Sequence, residues 1–158
     1  MTAAHALLFA FLIGGIAGLR TFTAPASVAW GAHRNWLNLH NTVFAFMGSI
    51  AAVIIFILLA LLELVVDKLP STPSRLKPRG LVGRIFSGAL CGACLAGAGA
   101  QSMLLGAVVG VAGALTGAFA GNKIRGSLVK ALKVPDLVIA VLEDAVAIAG
   151  GLLIVSRF

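Results

Sequence analysis

Five apolar stretches alternate along the chain with short clusters of basic and turn-forming residues. A helix that crosses a bilayer needs about 20 mostly apolar residues. Spans of that kind are predicted at residues 6–25, 42–66, 80–98, 103–121 and 134–155. The first is apolar only from Ala6 to Leu19 and reaches full length through its continuation "RTFTAPASVAW". It is rich in glycine and lacks a small-residue cleavage site, so it reads as a retained span and not as a cleaved signal peptide. The stretch 42–66 is the cleanest of the five, and "AGAGAQS" joins the third and fourth as a tight uncharged hairpin.

Composition sharpens this pattern into a class. Of the 158 residues, 60% are hydrophobic and 11% charged, and the mean hydropathy is +1.08. Soluble domains carry about 25% charged residues, and a chain this short leaves much of its surface uncovered. Lipid must therefore be the main solvent, and the expected fold is an all-α polytopic transmembrane bundle forming one domain over 1–158.

The net charge of +7 does not point to nucleic acid, because the basic residues fall between apolar spans and form no aromatic-interleaved basic face. Such residues act mainly as topology signals. Lys68, Arg75, Lys77, Arg79, Arg84, Lys123, Arg125, Lys130 and Lys133 fall on one side of a five-span layout, and Arg20, Arg34 and Arg157 on the other. That asymmetry predicts a cytoplasmic N-terminus and an external C-terminus. Cys91 and Cys94 form a C-x-x-C within an apolar helix, without the further ligands a zinc site needs; they read as small packing residues.

Two features complicate a plain bundle. The first external loop, "TFTAPASVAWGAHRNWLNLHN", is too apolar for a solvated linker, and its Trp30 and Trp36 suit a helix or re-entrant piece at the membrane interface. An aromatic-belt anchor is the plainer alternative, and the wide spacing of His33 and His40 is a weak metal signal. Second, "GIAGLRTFTA" resembles "AFAGNKIRGS", and "LALLELV" resembles "IAVLEDA". This overlay sets Arg20 on Lys123 and Glu63 on Glu143. It suggests an inverted repeat of spans one–two and four–five around span three, an architecture that places transporter sites at the repeat interface.

All five acids, Glu63, Asp67, Asp136, Glu143 and Asp144, lie on the second and fifth spans. A carboxylate inside a bilayer is costly and should face a partner or water. Glu63 and Glu143 facing each other would form a site for a cation or a proton, with Arg20 or Lys123 as counter-charge. The competing reading bonds them to backbone or hydroxyls in a static core. Asp67 and Asp136, near span ends, are expected to pair with Lys68 and Lys133 or to cap helices. Glu143 and its neighbour Asp144 point apart, so only one can aim at a given partner.

Arg20 precedes Thr21, Thr23 and Pro25, and Pro25 biases Ala24 away from helix. A broken helix there would set free backbone groups beside a guanidinium and could hold an anion or carboxylate; a snorkelling Arg at the interface is the alternative. Gly106, Gly110, Gly113, Gly117 and Gly121, with Gly88 and Gly92, form small-xxx-small faces for packing within the chain or across a homodimer. Ser71, Thr72, Ser74, Arg75, Lys77 and Arg79 offer groups for a phosphate or an anionic headgroup, although topology alone accounts for them.

The segments "LLELVVDKLPSTPSRLKPRG", "VPDLVIAVLEDAVAIAGG" and "AGLRTF" resemble the domain of unknown function 4126 family of small bacterial membrane proteins. The matching positions are Glu63, Asp67, Lys68, Pro70, Pro135, Asp136, Leu142, Glu143 and Asp144. The resemblance implies an integral membrane protein, here of a bacterial inner membrane, and no established activity. The expected function is a small secondary transporter or channel-like carrier for an ion or solute, with Glu63, Glu143, Asp144, Arg20 and Asp67 at its site. A non-transporting scaffold or lipid-interacting protein is the alternative. With no nucleophile–base pair or metal cluster in the sequence, neither an enzyme nor a cofactor is expected.

Overall fold

A computed structural model describes residues 2–67 and 78–158, apart from the side chain of Arg79. Its elements are α1 (Ala3–Leu19), α2 (Thr23–His33), a short 3-10 turn (Ala45–Gly48), α3 (Ile50–Val66), α4 (Pro78–Ala98), α5 (Met103–Leu132) and α6 (Asp136–Val155). No strand occurs among the described residues. The helices at Gly80–Ala98, Met103–Leu132 and Asp136–Val155 are long and apolar enough to cross a membrane, while Ala3–Leu19 and Ile50–Val66 are apolar but shorter.

Local chemistry sets several boundaries. Thr2, Ser49 and Ser102 accept hydrogen bonds from the amides of His5, Ala52 and Leu105, capping α1, α3 and α5. Each side chain satisfies an amide that the first helical turn leaves open. Ser49 starts α3 eight residues later than the apolar run suggests; residues 42–49 form turns instead. Lys133 ends α5 in the left-handed region at φ 53°, and Pro135 then opens α6.

The direction of each helix follows from which residues meet. Gly14 faces Gly110 and Gly18 faces Ala114, so α1 and α5 run parallel. Gly88 also meets Gly110, and Gly92 meets Gly106, so α4 runs antiparallel to α5. Along α6, Ile16 lies against Gly150, Ser27 against Gly151 and Gly31 against Val155. The chain therefore turns back at Arg20–Phe22: α1 is antiparallel to α6 and α2 is parallel to it. Eight of the eleven residues of α2 are buried, because α3, α4, α6 and α1 all pack on it.

This arrangement corrects three expectations and shows one use of the glycine faces. The first apolar segment does not continue through residue 25 as one span; α1 and α2 form a helical hairpin. In consequence the N-terminal end of α1 and the C-terminal end of α6 lie at the same end of the bundle, where the rings of Phe9 and Phe158 stand 5.6 Å apart. Opposite termini required the hairpin to be a single crossing. The parallel course of α1 and α5 is also the reverse of what an inverted pair requires. Finally, the glycine faces are used within the chain: Gly110 and Gly106 pack on α4, and Gly113 and Gly117 on α1.

Cys91 and Cys94 are fully buried in the main apolar cluster, with Ile13, Val28, Leu95 and Val155. Outside the cluster many large apolar side chains are exposed, from Ile54, Leu58 and Leu62 on α3 to Val146 and Leu153 on α6. Such a shell suits contact with lipid and not with water.

Candidate functional site

The reversal between α1 and α2 creates an end of the kind that helices cannot satisfy alone. Phe22 sits at the N-cap position of α2 and offers no side-chain cap. The amides of Thr21 and Phe22, which lead into the helix, would also be stranded inside an apolar bundle without a partner, which is costly. Glu63 from α3 supplies that partner. Its two carboxylate oxygens accept hydrogen bonds from the amides of Thr21 at 2.6 Å and Phe22 at 2.8 Å. The negative group also meets the positive end of the α2 dipole. On the other side of the turn, Ser87 of α4 donates its hydroxyl to the Thr21 carbonyl at 2.5 Å.

Arg20, the last residue before the turn, is fully buried. It does not snorkel to an interface. Its guanidinium is ion-paired with Asp67 at the end of α3 and lies 2.5 Å from Asp144 of α6. Arg84 of α4 is 4% exposed and stands one turn before Ser87 on the helix whose Gly83 meets the Thr21 methyl. Three helices, α3, α4 and α6, thus send polar side chains to one three-residue break. Thr23, one turn before Ser27 on the helix face that meets α6, is buried, and its hydroxyl has no hydrogen-bond partner among the described residues.

A second charged group lies further along α5 and α6. Arg125 forms a fork with Asp136, Nε to Oδ1 at 2.8 Å together with a second bond from its terminal nitrogen. Another nitrogen of the same guanidinium is 3.5 Å from Glu143.

The expected site residues are therefore divided. Arg20, Asp67 and Asp144 meet directly, and Glu63 joins them at the break through the backbone. Glu143 goes to Arg125, so the anticipated Glu63–Glu143 pair is not the pair that forms. The divergence of Glu143 and Asp144 is as expected from adjacent helical positions. Asp136 pairs with Arg125, eleven residues away on the neighbouring helix, whereas Lys123 is exposed. Lys68 and the residues considered for a phosphate or anionic headgroup, Ser71, Thr72, Ser74, Arg75 and Lys77, lie outside the described residues, as does the Arg79 side chain.

Ser87, Arg84 and the two amides were missed from sequence. Arg84 was legible only as a topology charge. Its position four residues before Gly88, on the face that packs into the bundle, was the available signal. The broken helix itself was legible in "LRTFTAP", and the carboxylate that it holds is supplied by the protein.

These features define a polytopic helical membrane protein whose first apolar segment is discontinuous and whose break is closed by buried charged groups. The chain belongs to the family described as Domain of unknown function (DUF4126), whose model matches residues 7–156. No curated protein and no solved structure matches it.

Proposed function

We propose that this single transmembrane domain is a small carrier for an ion or solute, and that the break between α1 and α2 is its site. The observation that carries this reading is the convergence of Arg20, Asp67, Asp144 and Glu63 on a discontinuous helix inside an apolar bundle. Secondary transporters repeatedly build their sites from half-helix ends and unwound backbone within the membrane. Intramembrane charges are expensive and usually mark ion or proton pathways. A static core would gain as much stability from apolar side chains of similar volume.

In this reading α3 to α6 are four crossings, and α1–α2 is a hairpin that enters and leaves by one face. Arg84, Lys123, Arg125, Lys130 and Lys133 are carried toward the end marked by the break, and Arg34 and Arg157 toward the other. The positive-inside rule then sets the break-side loops in the cytoplasm and both termini outside.

Reconstitution into liposomes with a panel of ions and small solutes tests the carrier. Flux of one of them, reduced at least tenfold by Asp144→Asn or Glu63→Gln, is the expected result. The scaffold alternative draws on a specific fact: both Glu63 oxygens already serve backbone amides. If the same substitutions lower the unfolding temperature in detergent while every flux equals that of empty liposomes, the scaffold reading replaces the carrier.

A further inference from the structure

The charged groups of α5, α6 and the break form a series that descends into the bundle. Asp136 opens α6, and its side chain is 61% exposed. It pairs with Arg125, 20% exposed, whose guanidinium also reaches Glu143, 10% exposed. The next residue, Asp144, lies about 12 Å along α6 from Asp136 at 1.5 Å per residue. It contacts Arg20, whose side chain is 1% exposed. At the bottom of the series stand two buried donors. Thr23 is 4% exposed, and among the described residues neither its hydroxyl nor Arg20 Nε has a hydrogen-bond partner. Both residues stand against α6: Arg20 on Asp144, and Thr23 one turn before Ser27, which meets Gly151. Beyond them the course is closed. Ser27 donates its hydroxyl to the Thr23 carbonyl at 3.0 Å, and Val28, Ala147 and Val155 belong to the main apolar cluster.

We propose that this series lines a water-filled inlet, open at the break-side face and ending at Thr23, whose hydroxyl holds the innermost water together with Arg20 Nε. The chemistry of the donors selects water over an ion. Nε–H can only donate, so its partner must be an acceptor and no cation can serve. An anion would enter beside Glu63, Asp67 and Asp144, three acids against the two arginines, Arg20 and Arg84, described around the break. Water is a neutral acceptor that also donates, and a buried water makes about two to four hydrogen bonds to polar groups of this kind. Left dry, an unsatisfied hydroxyl costs stability, and an unsatisfied N–H on a charged group costs more. The exposed end of the series gives the water its entry, because ionisable side chains at such depth face partners or water-filled cavities. The inlet does not depend on a carried solute. In the carrier reading it is the route by which a solute reaches the break, from one face only.

Silver ion tests the inlet, because it is small, binds thiols as soft ligands and does not cross lipid. The full chain carrying Thr23→Cys is reconstituted in liposomes in nitrate buffer. Ser127→Cys and His40→Cys, both at exposed positions, mark the break side and the opposite side. Cys91 and Cys94, buried in the apolar cluster, serve as the dry reference. Thiols left unmodified are read by mass spectrometry after unfolding and maleimide capture. Silver on the Ser127 side should consume the Thr23→Cys thiol at least about tenfold faster than the native pair, and silver on the His40 side should not. A rate no faster than that of Cys91 and Cys94 overturns the proposal, and so does entry from the His40 side. Thr23→Val keeps the shape, removes the hydroxyl and puts no thiol at the site. With water bound there, its unfolding temperature in detergent should fall below that of the unsubstituted chain. In a dry core, loss of an unsatisfied hydroxyl raises it, so an unchanged or higher value also overturns the inlet.

Discussion

Helix α1 takes part in two contacts that hold by opposite means, only a few residues apart. Around Gly14 and Gly18 it meets α5 backbone to backbone, and Gly110 in turn meets Gly88 of α4. The atoms nearest these glycines are backbone atoms and the Ala114 methyl. In lipid there is no hydrophobic gain from such contact, so close approach and the dispersion it permits must supply the attraction. At Arg20 the same helix ends in charges and open amides, satisfied by α3, α4 and α6. The seam admits no added atom but is indifferent to charge. The break has room for side chains but admits no uncompensated charge. A close-packed α1–α4–α5 platform and a break closed by charged groups are thus built from one helix and its end.

The largest effect is expected where the seam has backbone on both sides. A side chain at Gly110 would strike the Gly88 carbonyl, and a Cβ at Gly14 would strike the Gly110 carbonyl from the other helix. Backbone cannot turn aside as a flexible side chain can. Gly110→Leu should therefore cost more than about 4 kcal/mol, in the range reserved for severe core disruption. It should yield no monodisperse folded protein on detergent size exclusion. Recovery of a normal peak would mean that the seam is looser than its geometry.

At the break, the prediction concerns charge and not volume. Arg20→Met keeps most of the bulk but leaves Asp67 and Asp144 without their shared guanidinium. Removing one member of a buried ion-pair set costs about 3–5 kcal/mol, whereas neutralising the whole set is often close to neutral. The single substitution should lower thermal stability in detergent sharply, and Arg20→Met with Asp67→Asn and Asp144→Asn should recover most of it. Equal loss in the single and triple variants would show that shape, not charge, governs the break.

The two regions were unequally legible in the sequence. The seam could be read directly, since glycines at positions 106, 110, 113 and 117 repeat at helical spacing; only their destination, within the chain, needed coordinates. The break was half legible. Pro25 announced a stop, yet proline is tolerated in a first helical turn because no intrahelical donor is needed there. Continuity of apolar residues through Val28 and Ala29 then favoured one long span over a hairpin. The partner of Glu63 could not be read at all, because backbone amides are the same at every residue and become special only where a helix begins. Pairing the two glutamates by sequence likeness assigned to a side chain what the fold gives to the main chain.

The smallest expected effect uses the same residue type on both sides of the comparison. Gly126 lies on the part of α5 beyond the seam, and a Cβ there would meet nothing within 4 Å. Gly113, about three and a half turns earlier on the same helix, would drive its Cβ into the carbonyl of Phe11. An alanine at an unhindered helix interior gains up to about 1 kcal/mol over glycine through backbone entropy. Gly126→Ala should thus raise the unfolding temperature slightly, while Gly113→Ala lowers it. A sign difference between identical substitutions on one helix isolates close approach from helix propensity. If both variants move in the same direction, the seam of α1 and α5 is not the contact that limits stability, and the charged break would have to carry the fold alone.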